Sequence, residues 1–221
     1  MNRALSIAAA VVSAAYLFLS KTLPYPSGAI LKTSMCVLLA VLALRHKSVL
    51  LGIALGFSAT GDALLAIDGA KLFVPALASF LVTHVMYAAI FMRVSRDAPI
   101  AIGASRSIGM ILLIVFAIGF SIVLWPHLGA LAIPVMVYIA AIVTMAVLSF
   151  RIPQMIVPLG AVLFMVSDSL IALEKFLWSA TWLSPVIWVT YALAQQLITH
   201  GLIGIHRGNG DTRLSGGGAL T

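Results

Sequence analysis

Charge is what this sequence has least of. Asp, Glu, Lys and Arg together supply 9% of its 221 residues, where a soluble domain carries about 25%. So few charges cannot cover a water-facing surface, which excludes a soluble fold and makes the bilayer the solvent. Cysteine is nearly absent: Cys36 stands alone, so no disulfide can form within the chain. Alternating apolar and polar segments of about 10 residues, the mark of a membrane barrel, are missing as well. Since only helices and closed barrels satisfy their backbone groups in lipid, helices remain. Acidic residues number 6 against 13 Lys and Arg, for a net charge of +7. The basic residues sit in short loops between apolar runs, which reads as a topology signal, and no nucleic-acid partner is expected.

What the sequence has is apolar length. Hydrophobic residues make up 62% of the chain and the mean hydropathy is +1.16. Runs close to the roughly 20 residues that cross a bilayer predict eight transmembrane helices, at about 4–20, 28–44, 48–67, 72–92, 106–124, 128–148, 154–173 and 184–204. Chemistry marks the breaks: Pro24 and Pro26, then Arg45-His46-Lys47, then Asp68, Gly69 and Lys71. Arg93 to Pro99, Pro126 with His127, Arg151 with Pro153, and Glu174 to Pro185 mark the rest. Arg3 followed by the apolar stretch Ala4 to Leu19 has the outline of a signal peptide. Its polar start is minimal, it nearly spans a bilayer and seven more spans follow, so a retained first helix is expected. The expected organisation is one all-α transmembrane domain over 1–206 and a flexible, Gly-rich cytoplasmic tail over 207–221.

Orientation follows from the basic residues. Arg3, Arg45, Lys47, Arg93, Arg96, Arg106, Arg151, Arg207 and Arg213 fall on one side, against Lys21, Lys71 and Lys175 on the other. The richer side is cytoplasmic by the positive-inside rule, so the protein is expected in the cell (inner) membrane with both termini in the cytoplasm.

Three charged residues nevertheless fall within spans: Lys32, Asp62 and Asp168. Each costs about 2.5–3.5 kcal/mol on insertion scales, and an aspartate is too short to snorkel far. Asp62 precedes the end of its outward-running span at Ile67 by five residues, and Asp168 precedes Leu173 by five. Lys32 follows the start of an inward-running span at Gly28 by four. At 1.5 Å per residue all three lie roughly 6–8 Å below the outer surface. Tyr191 shares that depth, and His84 and Gln195 lie a little deeper. Phe80, His84 and Tyr87 form one stripe of the fourth span; Tyr191, Gln195 and Thr199 form one stripe of the eighth. Interhelical hydrogen bonding is the plain alternative for such groups and weighs most for Tyr87 and Thr199. The common depth favours one pocket in the outer half of the membrane.

GDALLAID (Gly61 to Asp68) and SDSLIALE (Ser167 to Glu174) match in pattern at every position, 106 residues apart (168 − 62). Both lie at the outer ends of outward-running spans, which suggests a parallel 4+4 internal repeat with the aspartates at equivalent positions. Two carboxyls in a low-dielectric site do not both ionise cheaply. A pair sharing one proton, balanced by Lys32, holds one acid and one carboxylate, the equipment of general acid–base hydrolysis.

At these residues the sequence resembles the YhhN family of membrane proteins, whose characterised members are lysoplasmalogenases. The resemblance runs over roughly residues 4 to 205 and rests on Lys32, Gly61-Asp62, Phe80, His84, Tyr87, Ser167-Asp168, Tyr191 and Gln195. One departure is visible: where the family often has Lys-Pro, this chain has Lys32-Thr33. The resemblance implies hydrolysis of the vinyl ether bond of a lysoplasmalogen to a fatty aldehyde and a glycerophospho-base. Asp62 and Asp168 are then the expected catalytic pair, with Lys32, His84, Tyr87, Tyr191 and Gln195 in binding or supporting roles. The implied partners are a lysophospholipid or other ether lipid and the bilayer itself.

The main rival is a proton-coupled transporter of small molecules or lipids, which also uses intramembrane charges and repeats. The aspartate-bearing spans lack the Gly/Pro interruptions that broken transporter helices carry. An intramembrane aspartyl protease is disfavoured because Ala59-Thr60-Gly61-Asp62 lacks Gly-x-Gly-Asp. No metal or other cofactor is expected, since His84 is the single histidine near the aspartate layer and no ligand spacing accompanies it.

Overall fold

The computed structural model describes the backbone of residues 2–216 and the side chains of residues 2–205; the Gly-rich tail expected over 207–221 lies outside the described side chains. Among the described residues the chain is all-helical. The helices are α1 (Asn2–Leu19), α2 (Ser27–Arg45), α3 (Val49–Asp68), α4 (Phe73–Asp97), α5 (Ala104–Leu124), α6 (Ala132–Ser149), α7 (Ile156–Phe176) and α8 (Leu183–Gly216). Each is long and apolar enough to cross a membrane, and the chain is an integral membrane protein of eight spans.

Most expected boundaries hold to within a few residues, and two shifts have physical causes. α4 runs on to Asp97, because nothing from Arg93 to Arg96 breaks a helix and the carbonyl of Val94 still accepts from Ala98 N–H. The sixth span starts later than residue 128, because two short 3₁₀ turns, Trp125–His127 and Gly129–Leu131, precede α6. Pro126 opens the first of these turns, and Gly129 follows it at a φ of 52° that suits glycine.

Proline is placed where it costs the helices least. Pro75, Pro134, Pro158 and Pro185 each occupy the third residue of a helix, α4, α6, α7 and α8 in turn. A first-turn N–H has no acceptor within its own helix, so its loss breaks no bond.

Helices adjacent in sequence pack on one another, except α4 and α5, and most extensively α7 on α8 and α2 on α3. The two halves meet where α4 packs on α6 and where α8 packs on α1 and α2. Small residues allow the close approaches that hold helices together in lipid. A Cβ at Gly201 of α8 would lie 2.4 Å from Val157 Cγ2 of α7. α8 is the most enclosed span; α1 and α5 are the least. α5 is anchored at its start by Arg106, whose guanidinium donates to the carbonyls of Phe150, Ile152 and Pro153 in the turn between α6 and α7.

Candidate active site

Asp62 and Asp168 reach one chamber of about 430 Å³, at the end of the bundle where α3 and α7 finish and α4 and α8 begin. α3 brings Asp62 to the chamber directly after Gly61. The missing side chain at Gly61 is required: a Cβ there would lie 2.6 Å from the ring of Phe80, which packs across α3 at this point. Phe80 lines the chamber and meets Tyr191 edge-on at 6.0 Å between ring centres.

Asp62 is 2% exposed, and it is paired. Lys32 of α2 places Nζ 3.7 Å from its Oδ1, and the Tyr191 hydroxyl donates to its Oδ2 at 2.8 Å. A charge removed from water needs such partners, because an unpaired one is strongly destabilising. Tyr191 is itself held: the Gln195 amide N–H donates to its oxygen at 3.3 Å, and Cys36 Sγ lies 3.2 Å away. Gln195 is fixed in turn by a second donated bond to Ser58 Oγ at 2.9 Å and by the Tyr87 hydroxyl, which donates to Oε1 at 2.6 Å. Ser58 donates onward to Thr83, whose hydroxyl donates to the Ala54 carbonyl. A buried network of this kind is rigid because every member has a partner.

Asp168 has different partners, a tyrosine and a histidine. Its Oδ2 accepts from the Tyr138 hydroxyl of α6, and His84 Nε2 of α4 lies 3.2 Å from the same oxygen and 2.9 Å from Tyr138 Oη. The His84 ring is fully buried and packs edge-on against Phe164 at 4.7 Å. Its Nδ1 has no hydrogen-bond partner among the described residues. A proton on Nε2 therefore fits best: it serves Asp168, and only a lone pair is left unpartnered at Nδ1. Beside Asp168, Ser167 donates to the Ile187 carbonyl at 3.0 Å and so locks α7 to α8.

Of the residues singled out by sequence, Lys32, Asp62, Phe80, Asp168 and Tyr191 line the chamber. His84, Tyr87 and Gln195 do not; they are fully buried behind it and reach it through hydrogen bonds. Thr199 is buried with a hydroxyl that finds no partner among the described residues. Sequence reasoning missed Tyr138, the partner shared by Asp168 and His84. A signal was present, since Tyr138 is the one tyrosine in the apolar run Ala132–Ser149. It also missed Tyr16 and Trp188, whose rings meet at a tilt with centres 4.4 Å apart and line the chamber on the α1 side. Trp188 lies one turn before Tyr191 on the same face of α8.

A second, narrower cavity of about 60 Å³ adjoins the chamber between α4, α5, α6 and α7. Leu65, Phe73, Phe80, Asp168 and Ile171 line both spaces. Asp168 is thus a carboxyl in a wall that is otherwise apolar apart from Tyr138 and Ser169.

The chain is 38% identical over 179 residues to the lysoplasmalogenase of Mycobacterium bovis (strain ATCC BAA-935 / AF2122/97), covering 77% of this chain and 68% of the relative. It is 32% identical over 175 residues to lysoplasmalogenase TMEM86A of Bos taurus, covering 74% and 69%. Against the Homo sapiens TMEM86A lysoplasmalogenase the identity is 31% over 157 residues, covering 66% and 62%. No solved structure matches the chain. The YhhN family model matches residues 27–202, a stretch holding Lys32, both aspartates and every residue that hydrogen-bonds to them, and the chain belongs to the YhhN family.

Proposed function

We propose that this protein is a lysoplasmalogenase-like hydrolase that cleaves the vinyl ether bond of a lysophospholipid by acid–base catalysis with Asp62 and Asp168. The observation that carries the reading is the unequal provision for two carboxyls on one chamber. Asp62 has a cation and a donated hydrogen bond, which suit a carboxylate. Asp168 has no lysine or arginine partner among the described residues, and Tyr138 and His84 meet it on one oxygen only.

Vinyl ether hydrolysis asks for that asymmetry. The alkene carbon must be protonated, which creates an oxocarbenium ion; a carboxylate stabilises the cation and takes a proton from the attacking water. The same division of labour serves glycosidases. The chamber is roomy enough for water and polar enough to hold it. Fixed donors and charges, already oriented by the fold, stabilise the developing cation more than freely reorienting water would. His84, Tyr87 and Gln195 act as positioning residues, holding Asp168 and Tyr191 in place.

The purified protein is expected to release fatty aldehyde from a lysoplasmalogen and none from the saturated 1-alkyl analogue, which has no alkene to protonate. Absence of aldehyde from the vinyl ether lipid, at any detergent or bilayer composition that keeps the protein folded, would end this reading. In the same reading the protein lies in the cell membrane with both termini cytoplasmic, and the chamber opens towards the outer face. A fluorescent-protein fusion after residue 221 is expected to fluoresce, and an alkaline-phosphatase fusion at that point to be inactive. The reverse pattern would invert the topology.

A further inference from the structure

We propose that the hydrocarbon chain of the lipid begins in the narrow slot between α4, α5, α6 and α7 while its polar head group occupies the large chamber, so that Asp168 protonates the chain-side alkene carbon and Asp62 works on the head-group side. The assignment rests on the hydrolase reading and adds the direction in which the substrate lies.

The two spaces differ in chemistry and size. The chamber wall carries Lys32, Asp62, Glu174, Lys175 and Ser184, groups that a phosphate and an amine can pair with. The slot wall is built from side chains such as Phe73, Phe116, Phe120, Ile139 and Ile142. Burying a phosphate there would leave it unpaired at large cost, whereas methylenes lose nothing by entering. At about 60 Å³ against about 430 Å³, the slot admits the first few carbons of one chain and excludes a pair of chains. Beyond the slot the chain runs out along α5, whose outer face is apolar and exposed. A lipid threaded this way crosses from slot to chamber past the residues common to both, and Asp168 is the one titratable group among them.

The direction decides the roles. In an enol ether the carbon that accepts a proton is the one remote from oxygen, which is the chain-side carbon. With the chain in the slot, that carbon lies on the Asp168 side. Tyr138 and His84 occupy Oδ2 of Asp168, and Oδ1 takes no hydrogen bond from the described residues. In the first step the Asp168 O–H bond breaks and the alkene π electrons form the new C–H bond, leaving an oxocarbenium ion and Asp168 as carboxylate. Water then adds to the oxygen-bearing carbon as its proton passes to the Asp62 carboxylate, giving a hemiacetal. Collapse of the hemiacetal returns its hydroxyl proton to Asp168, while the departing glycerol oxygen takes the proton from Asp62. Both aspartates end as they began, one water is consumed, and aldehyde and alcohol leave.

The test uses the full chain in lipid nanodiscs with two photoreactive probes, both saturated 1-alkyl lysophospholipids. One carries a diazirine on the first few carbons of the chain, the other on the head-group amine. The expected result is competed labelling of α5 and α6 around Phe120 and Ile139 by the first, and of the Glu174–Ser184 stretch by the second. Exchanged labels, or chain labelling that excess unlabelled lysolipid does not reduce, overturn the proposal. A second arm fills the slot with Ala117→Phe. In the monodisperse variant, kcat/KM for a long-chain lysoplasmalogen is expected to fall about tenfold or more, together with the competed labelling by the chain probe. Parental kcat/KM in the folded variant also overturns it. If the parent cleaves no vinyl ether lipid, the hydrolase reading and the Asp168 role fail together, and the labels still decide where the chain sits.

Discussion

Asp62→Asn and Asp168→Asn are each expected to lower aldehyde release by about 10²–10⁴-fold, the usual loss on removing an essential acid or base. Asparagine keeps the shape and part of the hydrogen bonding of each residue but can neither donate an acidic proton nor carry the negative charge that faces the oxocarbenium ion. The folded state is expected to survive both changes. A buried carboxylate burdens a fold, so its neutral isostere need not weaken it. Asp168→Asn keeps an acceptor for Tyr138 and is expected to melt no lower than the parent. Asp62→Asn leaves Lys32 without its counter-ion, and its melting temperature is the more exposed of the two. Turnover near the parent's in either variant, with the protein monodisperse, would sink the two-carboxyl mechanism. Loss of activity only through loss of folding would make the aspartates structural.

The second large effect is expected at Lys32. Lys32→Met strands Asp62, a carboxyl that is 2% exposed, and a stranded buried charge costs about 3–5 kcal/mol unless it takes up a proton. Protonation relieves the strain but removes the carboxylate from the chamber, leaving two acids and no base. Activity is therefore expected to fall, by less than in either aspartate variant, because a fraction of Asp62 still ionises. The double variant Lys32→Met/Asp62→Asn restores neutrality with both partners absent. Its thermal stability is expected to exceed the sum of the two single changes, with a coupling of about 0.5–3 kcal/mol. Strictly additive melting temperatures would show that the 3.7 Å contact contributes nothing.

How far the site was legible in the sequence depends on which dimension is asked about. The spans were plain because hydrophobicity and length decide them, and the helix ends moved only where local chemistry intervened, as at the 3₁₀ turns around Pro126 and Gly129. Lys32, Asp62 and Asp168 stood out because a charge in lipid is costly enough to need a reason. Counting residues from a helix end then gave their depth, and depth brought them to one chamber. Depth is one coordinate, however. It cannot say which groups lie beside which within a layer. Gln195 and Tyr87 serve Asp62 through Tyr191, while His84, from the same stripe of α4 as Tyr87, turns to Asp168. That lateral division arises because α6 packs on α4 beside His84 while Tyr87 reaches across to Gln195 of α8, which no spacing along one helix encodes. Tyr138 was missed for the same reason: a lone tyrosine in an apolar span acquires meaning only from the helix opposite.

The loose seating of α5 bears on how this chain tolerates change. Ile108, Ile111, Leu112, Val115, Ile118, Ile122 and Val123 are all more than half exposed on one helix, where a lipid tail is as good a neighbour as any side chain. Such positions are held to hydrophobicity and not to identity, so isoleucine, valine, leucine and phenylalanine can replace one another there at little cost. Five positions on α5 escape that freedom. Arg106 holds three carbonyls, Gly109 admits the ring of Phe150, whose nearest atom would lie 2.5 Å from a Cβ, and Phe116, Ala117 and Phe120 form the slot wall. Sequence drift along α5 is therefore confined by geometry to a periodic pattern, free on the outer face and fixed on a narrow inner one.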